Sequence, residues 1–387
     1  MLAITHTVPV WINQPAQLKQ TAARLAACSM LAVDTESNGL HAYREQVCLI
    51  QFSDGENDYL IDPLALKDLS PLAPIFASPT IEKVFHACEY DVLCLKRDFG
   101  FNFANIFDTM VASRILGYTA VGLGSILEAI FGLKLDKKYQ QANWGQRPLN
   151  PPMIEYAHHD VHYLIPLRHQ LKTQLEEIDR LPLALEDFNR LCQVQPRQEA
   201  ANSEDMIWRV AGQQELTPAQ AAILKELIET REVYARQHNQ PTFKVLSSQH
   251  LVEVALHAPA TLVDLAENCE LPLALIDRHG NRLVEAVLRG LAAKPIRRPS
   301  RQRPDPSYME RLETLRTWRK TTAQALKVES DVVLPRDIME VVAAKNPTTP
   351  EALQAIMAEI PWRYGVYGGP ILDQLVPPEE TPPAPED

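Results

Sequence analysis

The chain has 387 residues, of which 46% are hydrophobic and 22% charged, with 38 Lys and Arg against 49 Asp and Glu for a formal net charge of −11. That length and apolar content allow two or three packed domains and exclude general disorder, and no run reaches the ~20 apolar residues of a membrane span. The acidic balance excludes tight, indiscriminate coating of polyanions, whose phosphates are held mostly by Lys and Arg.

The opening stretch, MLAITHTVPVWINQPAQLKQ, has no basic run followed by an apolar one, so no signal peptide is expected and the expected compartment is cytoplasmic. Cys28, Cys48, Cys88, Cys94, Cys192 and Cys269 form no C-x-x-C pair and are expected to be buried free thiols. SMLAVDTES, VCLIQFS, DYLIDPL and IEKVFHA read as strands. ALKDLSPLAPIF, EYDVLCLKRDFG and DTMVASRILGY read as helices, so the first part is a mixed α/β sheet. From about Asn150 strand signals stop, and PPMIEYAHHDVHYLIPLRHQLKTQLEEI reads as one long amphipathic helix.

The rest is helical and repeats itself at an offset of 88 residues: Leu227 matches Leu315, Arg231 matches Arg319, Leu246 matches Leu334, Pro259 matches Pro347 and Gly280 matches Gly368. Two copies of one all-helical domain are expected, at 207–292 and 306–376, behind an N-terminal domain at 1–178 and a helical connector at 179–206. Between the copies, 293–305 is Pro-rich and carries Lys294, Arg297, Arg298, Arg301 and Arg303, either as a solvated linker or as a basic tether for phosphates. The Pro- and acid-rich tail at 377–387 is expected to be disordered.

Asp34 and Glu36 alternate within an apolar strand and therefore share a face. Two such carboxylates are costly unless cations neutralise them, and an oxygen-rich site suits Mg²⁺ or Mn²⁺; a solvated strand end is the plainer alternative. Tyr156 and Asp160 are four apart on a helix and share its face. Asp91 follows a strand beside the apolar stripe of Val92, Leu93 and Leu95, where it caps the helix or binds metal.

In order, these residues resemble the DEDD exonuclease superfamily. VDTES at 33–37 is similar to its first motif, FHACEYD at 85–91 to its second and YAHHD at 156–160 to its third, with Tyr156 four before Asp160 as in the tyrosine subclass. DTMVASRILG at 108–117 and ANWGQRPL at 142–149 resemble segments of the ribonuclease D family, and the repeated unit resembles the HRDC domain. The resemblance implies a ribonuclease H-like five-stranded sheet with helices, followed by two all-α HRDC-type domains. It implies a 3′→5′ exoribonuclease in which Asp34, Glu36, Asp91 and Asp160 bind two divalent cations, Mg²⁺ or Mn²⁺, while Tyr156 orients the attacking water. The implied partner is RNA with a free 3′ end, transfer-RNA precursors and small structured RNA among them; an acidic surface with one basic linker fits a monomer.

Candidates for holding the strand are Trp144 and Arg147, by stacking and phosphate contact, with Gln51 and His86 as further candidates; Trp144 as a core anchor and His86 as a satisfied core histidine are the alternatives. His158 and His159 are expected to point away from the Tyr156/Asp160 face. Arg231 and Arg319 are expected to be solvated or ion-paired, or else to contact substrate. Two rival functions share much of this pattern: a DNA exonuclease of identical metal chemistry, and a catalytically silent nucleic-acid-binding protein. A carboxylate-bridged metalloprotein would need two Glu-x-x-His pairs, and only Glu155 with His158 fits.

Overall fold

In a computed structural model, which describes residues 8–136, 138–196, 203–299 and 305–375, the apolar run ahead of Asp34 becomes the centre of a sheet. The N-terminal domain runs β1 (Val10–Ile12), α1 (Pro15–Leu25), β2 (Met30–Ser37), β3 (Val47–Ser53), β4 (Asp58–Ile61), α2 (Ala73–Ala77), β5 (Glu82–Phe85), α3 (Glu89–Phe99) and β6 (Ile106–Asp108). It continues as α4 (Thr109–Leu116), α5 (Leu123–Phe131), α6 (Pro151–His162), α7 (Leu164–Glu177) and α8 (Leu181–Gln193). The strands lie in the order β1-β4-β3-β2-β5-β6. β3 is antiparallel to both β2 and β4, whereas β1–β4, β2–β5 and β5–β6 are parallel.

The sheet thus has six strands rather than five. β1 and β6 are three residues each, too short for alternation to register. The single long helix expected from Pro151 onward is two helices that part at Tyr163. Pro166, in the first turn of α7, has no N–H to return to His162, so the ladder cannot run through. Pro71 and Pro74 likewise cut the helix expected over 65–76 to a 3₁₀ turn and the five residues of α2.

Alternation along β2 assigns its two faces. Leu31 and Val33 join Ile50, Phe52 and Phe85 in a core covered by α1 and α3. Ala32 joins Val84 and Phe107 on the other face, beneath α4, α7 and α8. Farther along that face, Leu49 and Leu60 pack against Trp144, Met153 and Ala157, which seats α6 across β2, β3 and β4.

The helical half comprises α9 (Ser203–Ala211), α10 (Pro218–Gln237), α11 (Thr242–Val245), α12 (Ser248–His257), α13 (Leu262–Asn268) and α14 (Leu273–Ala292), then α15 (Pro306–Leu326), α16 (Ser330–Val333), α17 (Arg336–Lys345), α18 (Pro350–Ile356) and α19 (Pro361–Leu375). α11, α12 and α13 reappear as α16, α17 and α18 at the 88-residue offset with identical bounds. Each copy encloses its own core, around Leu227 and Leu283 in one and Leu315 and Leu353 in the other. α10 and α14 approach so closely that a Cβ on Gly290 would come 2.4 Å from Ile223 Cα. In the linker, Arg298 bonds back to the Gly212 carbonyl over the Trp208 ring, while Arg301, Arg303 and the acidic tail lie outside the described residues. Among the described residues no helix is long and apolar enough to cross a membrane.

Candidate active site

The two sheet faces meet at the C-terminal end of β2, and the candidate carboxylates gather there. Asp34 stands opposite Gln51, and Glu36 opposite Leu49, on the face that carries α6. α6 starts at an Asn150 cap whose side chain accepts from Met153 N at 2.9 Å, with prolines in its first turn. Its register brings Asp160 beside the strand, so that oxygens of Asp34, Glu36 and Asp160 lie within 4.8 Å of one another. The Tyr156 hydroxyl, one turn away, hydrogen bonds to Asp160.

Asp91 arrives from the opposite face, in the first turn of α3, and accepts a hydrogen bond from Thr35, the residue between Asp34 and Glu36. Its placement depends on the turn before α3. Ala87 adopts a left-handed φ of 63°, a conformation that costs a non-glycine residue roughly 1–2 kcal/mol. The buried Asp108 holds that turn: one carboxylate oxygen accepts from Cys88 N at 2.7 Å, and the other caps α4 through Met110 N and Val111 N at 2.9 Å each.

Burial raises all four carboxyls. Asp34 and Glu36 lie well above the usual range because burial is reinforced by repulsion from the other acids of the cluster. Burial raises Asp91 to about 7 against the opposing hydrogen bond from Thr35, and Asp160 to about 7 against that from Tyr156. Burial, together with Asp160, Glu36 and Asp34, pushes the Tyr156 phenol well above its ordinary value. Among the described residues no Lys or Arg forms an ion pair with any of the four acids. An all-oxygen set of like charges without an internal counter-charge is chemically matched to hard divalent cations.

Two clefts open beside the cluster. One, of about 530 Å³, is lined by Glu36, Gly39, Leu40, Tyr90 and Gln141. The other, of about 350 Å³, is lined by Lys134, Tyr139, Tyr156, His159 and Asp160. Tyr90 is 52% exposed and Leu40 44%.

None of the four residues expected to hold substrate reaches these clefts as anticipated. Arg147 spends all five N–H donors on the fold: on both oxygens of Asp62 and on the carbonyls of Cys48, Trp144 and Gln146. Trp144 is buried against Leu49, Met153 and Tyr156, and so packs the core rather than stacking a base. Gln51 is wholly buried beneath α6. His86 hydrogen bonds to the Thr109 hydroxyl, which in turn donates to the Phe85 carbonyl. His158 is buried against Asp58, as the packing alternative has it, but His159 lines the Tyr156 cleft because residues three apart share a helix face. Tyr90 and Leu40 were not singled out by the sequence; the available signal was an aromatic next to Asp91 on the solvent side of an amphipathic helix.

Comparison with known proteins bears on the domains that carry this site. Residues 9–176 match a 3′-5′ exonuclease family, and residues 220–287 and 309–374 each match the HRDC domain. The chain is 30% identical over 378 residues to ribonuclease D of Pseudomonas paraeruginosa, covering 94% of this chain and 97% of that one. It is 30% identical over 271 residues to the exosome complex exonuclease RRP6 of Saccharomyces cerevisiae, covering 66% of this chain and 37% of that one. It thus spans about a third of the length of its RRP6-type relatives. The crystal structure of Escherichia coli RNase D, described as an exoribonuclease involved in structured RNA processing, superposes with a TM-score of 0.67 at 26% identity, over 91% of this chain and 99% of that one.

Proposed function

The chain belongs to the ribonuclease D family, and on that premise we propose that it is a metal-dependent 3′→5′ exoribonuclease that releases nucleoside 5′-monophosphates. The observation that carries this reading is the convergence of Asp34, Glu36, Asp91 and Asp160 with Tyr156 at one strand end. These four carboxylates would hold two Mg²⁺ or Mn²⁺ ions, for which their donor chemistry is suited. Bound there, the ions supply neutralisation of the phosphate charge and ionisation of water at neutral pH.

The protein's own groups do the positioning. The Tyr156 hydroxyl gives its one proton to Asp160, so its oxygen would orient the water as a hydrogen-bond acceptor. Asp160 fixes the direction of that phenol. Thr35 ties Asp91 to β2, so the acid from α3 follows the strand. Tyr90 and Leu40, half-exposed at the Glu36 cleft, offer apolar surface for the terminal bases.

Transfer-RNA precursors and other small structured RNAs are the substrates of this reading, and the HRDC domains widen the footprint on them. Six free cysteines suit a reducing, cytoplasmic setting. The test is a gel assay on 5′-labelled RNA with an extended 3′ end and on matched DNA. A ladder of single-nucleotide steps on RNA is expected, abolished by chelator and by Asp34→Asn, and slowed roughly 10²-fold by Tyr156→Phe. Equal degradation of DNA would replace the ribonuclease reading with a DNA exonuclease; binding without degradation would leave a silent module.

A further inference from the structure

On the side of α6 opposite Tyr156, three side chains outside the carboxylate cluster converge. His158 and His162 are four residues apart and lie one turn from each other on one face, their ring centroids 4.9 Å apart. Asp58, at the start of β4, meets both: its Oδ2 lies 2.6 Å from His158 Nε2 and 2.7 Å from His162 Nδ1. Asp58 and His158 are buried, and the His162 side chain keeps 15% of its surface exposed. Ser53 on β3 also hydrogen bonds to the Asp58 carboxylate, which fixes its orientation as an outer partner would fix a ligand's.

The donor atoms of these three residues lie within 4.8 Å of one another. Two imidazoles at i and i+4 on a helix, joined by a carboxylate from a neighbouring element, form a donor set for zinc and its chemical relatives. It differs in kind from the all-oxygen cluster on the other side of the helix, because imidazole nitrogen favours borderline ions over Mg²⁺. Zinc bonds to nitrogen and oxygen of ~2.0–2.2 Å hold donors roughly 3.3 Å apart. An ion would therefore enter by small rotations of the two rings away from Asp58. The exposed edge of His162 leaves a direction for a solvent ligand.

We propose that Asp58, His158 and His162 form a binding site for a zinc-class divalent ion, separate from the four-carboxylate cluster, that staples α6 to β4. The consequence for the molecule is positional. α6 also carries Tyr156 and Asp160, so an ion joining it to the sheet fixes the height of both against β2. The proposal stands independently of the exonuclease reading.

The full-length protein is stripped with chelator, dialysed against Zn²⁺ in excess Mg²⁺, and its zinc counted by mass spectrometry; Mg²⁺ fills oxygen sites and competes weakly for imidazole. One zinc retained per chain is expected for the wild type, and none for Asp58→Asn or for the double variant His158→Gln/His162→Gln. Zinc is expected to raise the Tm of the wild type and not that of the variants, whose zinc-free melts report whether they fold. Should a variant fail to fold, pulsed electron paramagnetic resonance on the Cu²⁺-loaded wild type is expected to show imidazole nitrogen coupling. Absence of retained zinc, equal retention by the double variant, or a Cu²⁺ spectrum without imidazole coupling would overturn the proposal and leave Asp58 as the shared acceptor of two hydrogen bonds.

Discussion

Asp91 and Asp160 are each pushed by burial to about 7, and Asp34 and Glu36 well above their usual range, so the metal-free cluster holds protons that the unfolded chain releases near pH 4. Linkage sets the sign: a carboxyl raised in the folded state contributes stability that is complete below its unfolded value and lost as pH rises through its folded value. The Tm of the chelator-treated protein is therefore expected to fall between about pH 5 and pH 8. With Mg²⁺ present the trend reverses, because fewer protons compete for the ligands, and the Tm gain from Mg²⁺ grows with pH. A metal-free Tm that is flat over that range, by calorimetry, would show that the four acids are not buried together. Asp34 with Glu36 and Tyr156 with Asp160 were legible as face-sharing pairs because spacing of two on a strand and four on a helix is backbone geometry; that they belong with Asp91 in one site was implied by the resemblance to the DEDD superfamily. Arg147 and Trp144 were not legible. Residue type alone leaves Trp144 open between a stacking ring and the core anchor it is, and only the fold reveals that Asp62 and three carbonyls use every donor of that arginine.

At the scale of elements, the repeat explains an arginine that sequence left open. Arg231 in α10 donates to the carbonyl of Leu246, the residue that ends α11; Arg319 in α15 donates at 2.8 Å to the carbonyl of Leu334, which ends α16. Each guanidinium thus caps a one-turn helix that cannot satisfy its own last carbonyls. Burial holds both below the ordinary arginine value. Arg231→Met and Arg319→Met should each destabilise the protein by about 2 kcal/mol, the range for a hydrogen bond to a charged group. The effects should add, since the two lie in separate cores. The slope of log Kd for RNA against log salt should not change in either variant, and a decrease of about one unit would instead mark a phosphate contact. Matches at a fixed offset made these helices legible in the sequence, because a repeated core imposes the same apolar positions twice. The three-residue strands β1 and β6 were not, because they are defined by their neighbours β4 and β5 rather than by a pattern of their own.

At the scale of the whole molecule, the helical domains are fastened to the exonuclease domain by different means. The first touches it through Tyr43, whose hydroxyl donates to Glu232 at 2.9 Å beneath the Arg236 guanidinium. The second is held by Val332, which packs into the core beneath α4, α7 and α8, and by ion pairs, among them Arg114 with Glu329 and Asp331 and Arg190 with Asp337 and Glu359. Such partly exposed pairs each contribute about 0–1 kcal/mol and weaken with salt. Arg363 is different. It is fully buried, pairs with Glu186 and Asp187 of α8, and bonds the Val332 carbonyl. Glu186 also accepts from the backbone N–H groups of Trp362 and Arg363, so a side chain of one domain caps the first turn of α19 in another. Glu186→Ala removes that cap and one of the two carboxylates that neutralise Arg363, leaving Asp187 as its partner, which should cost about 2–3 kcal/mol. The core around Leu315 and Leu353 does not include α8, so the loss should appear as undocking of the second HRDC domain rather than as its unfolding. Hydrogen exchange should accelerate across residues 328–334 and 361–367 while strand β2 stays protected. Cleavage of a short unstructured RNA should persist, since the carboxylate cluster is built from β2, α3 and α6, whereas trimming of a structured RNA should slow. Equal loss on both substrates, or faster exchange in β2, would mean that α8 supports the catalytic sheet directly and that the docking contact has no role of its own in substrate choice.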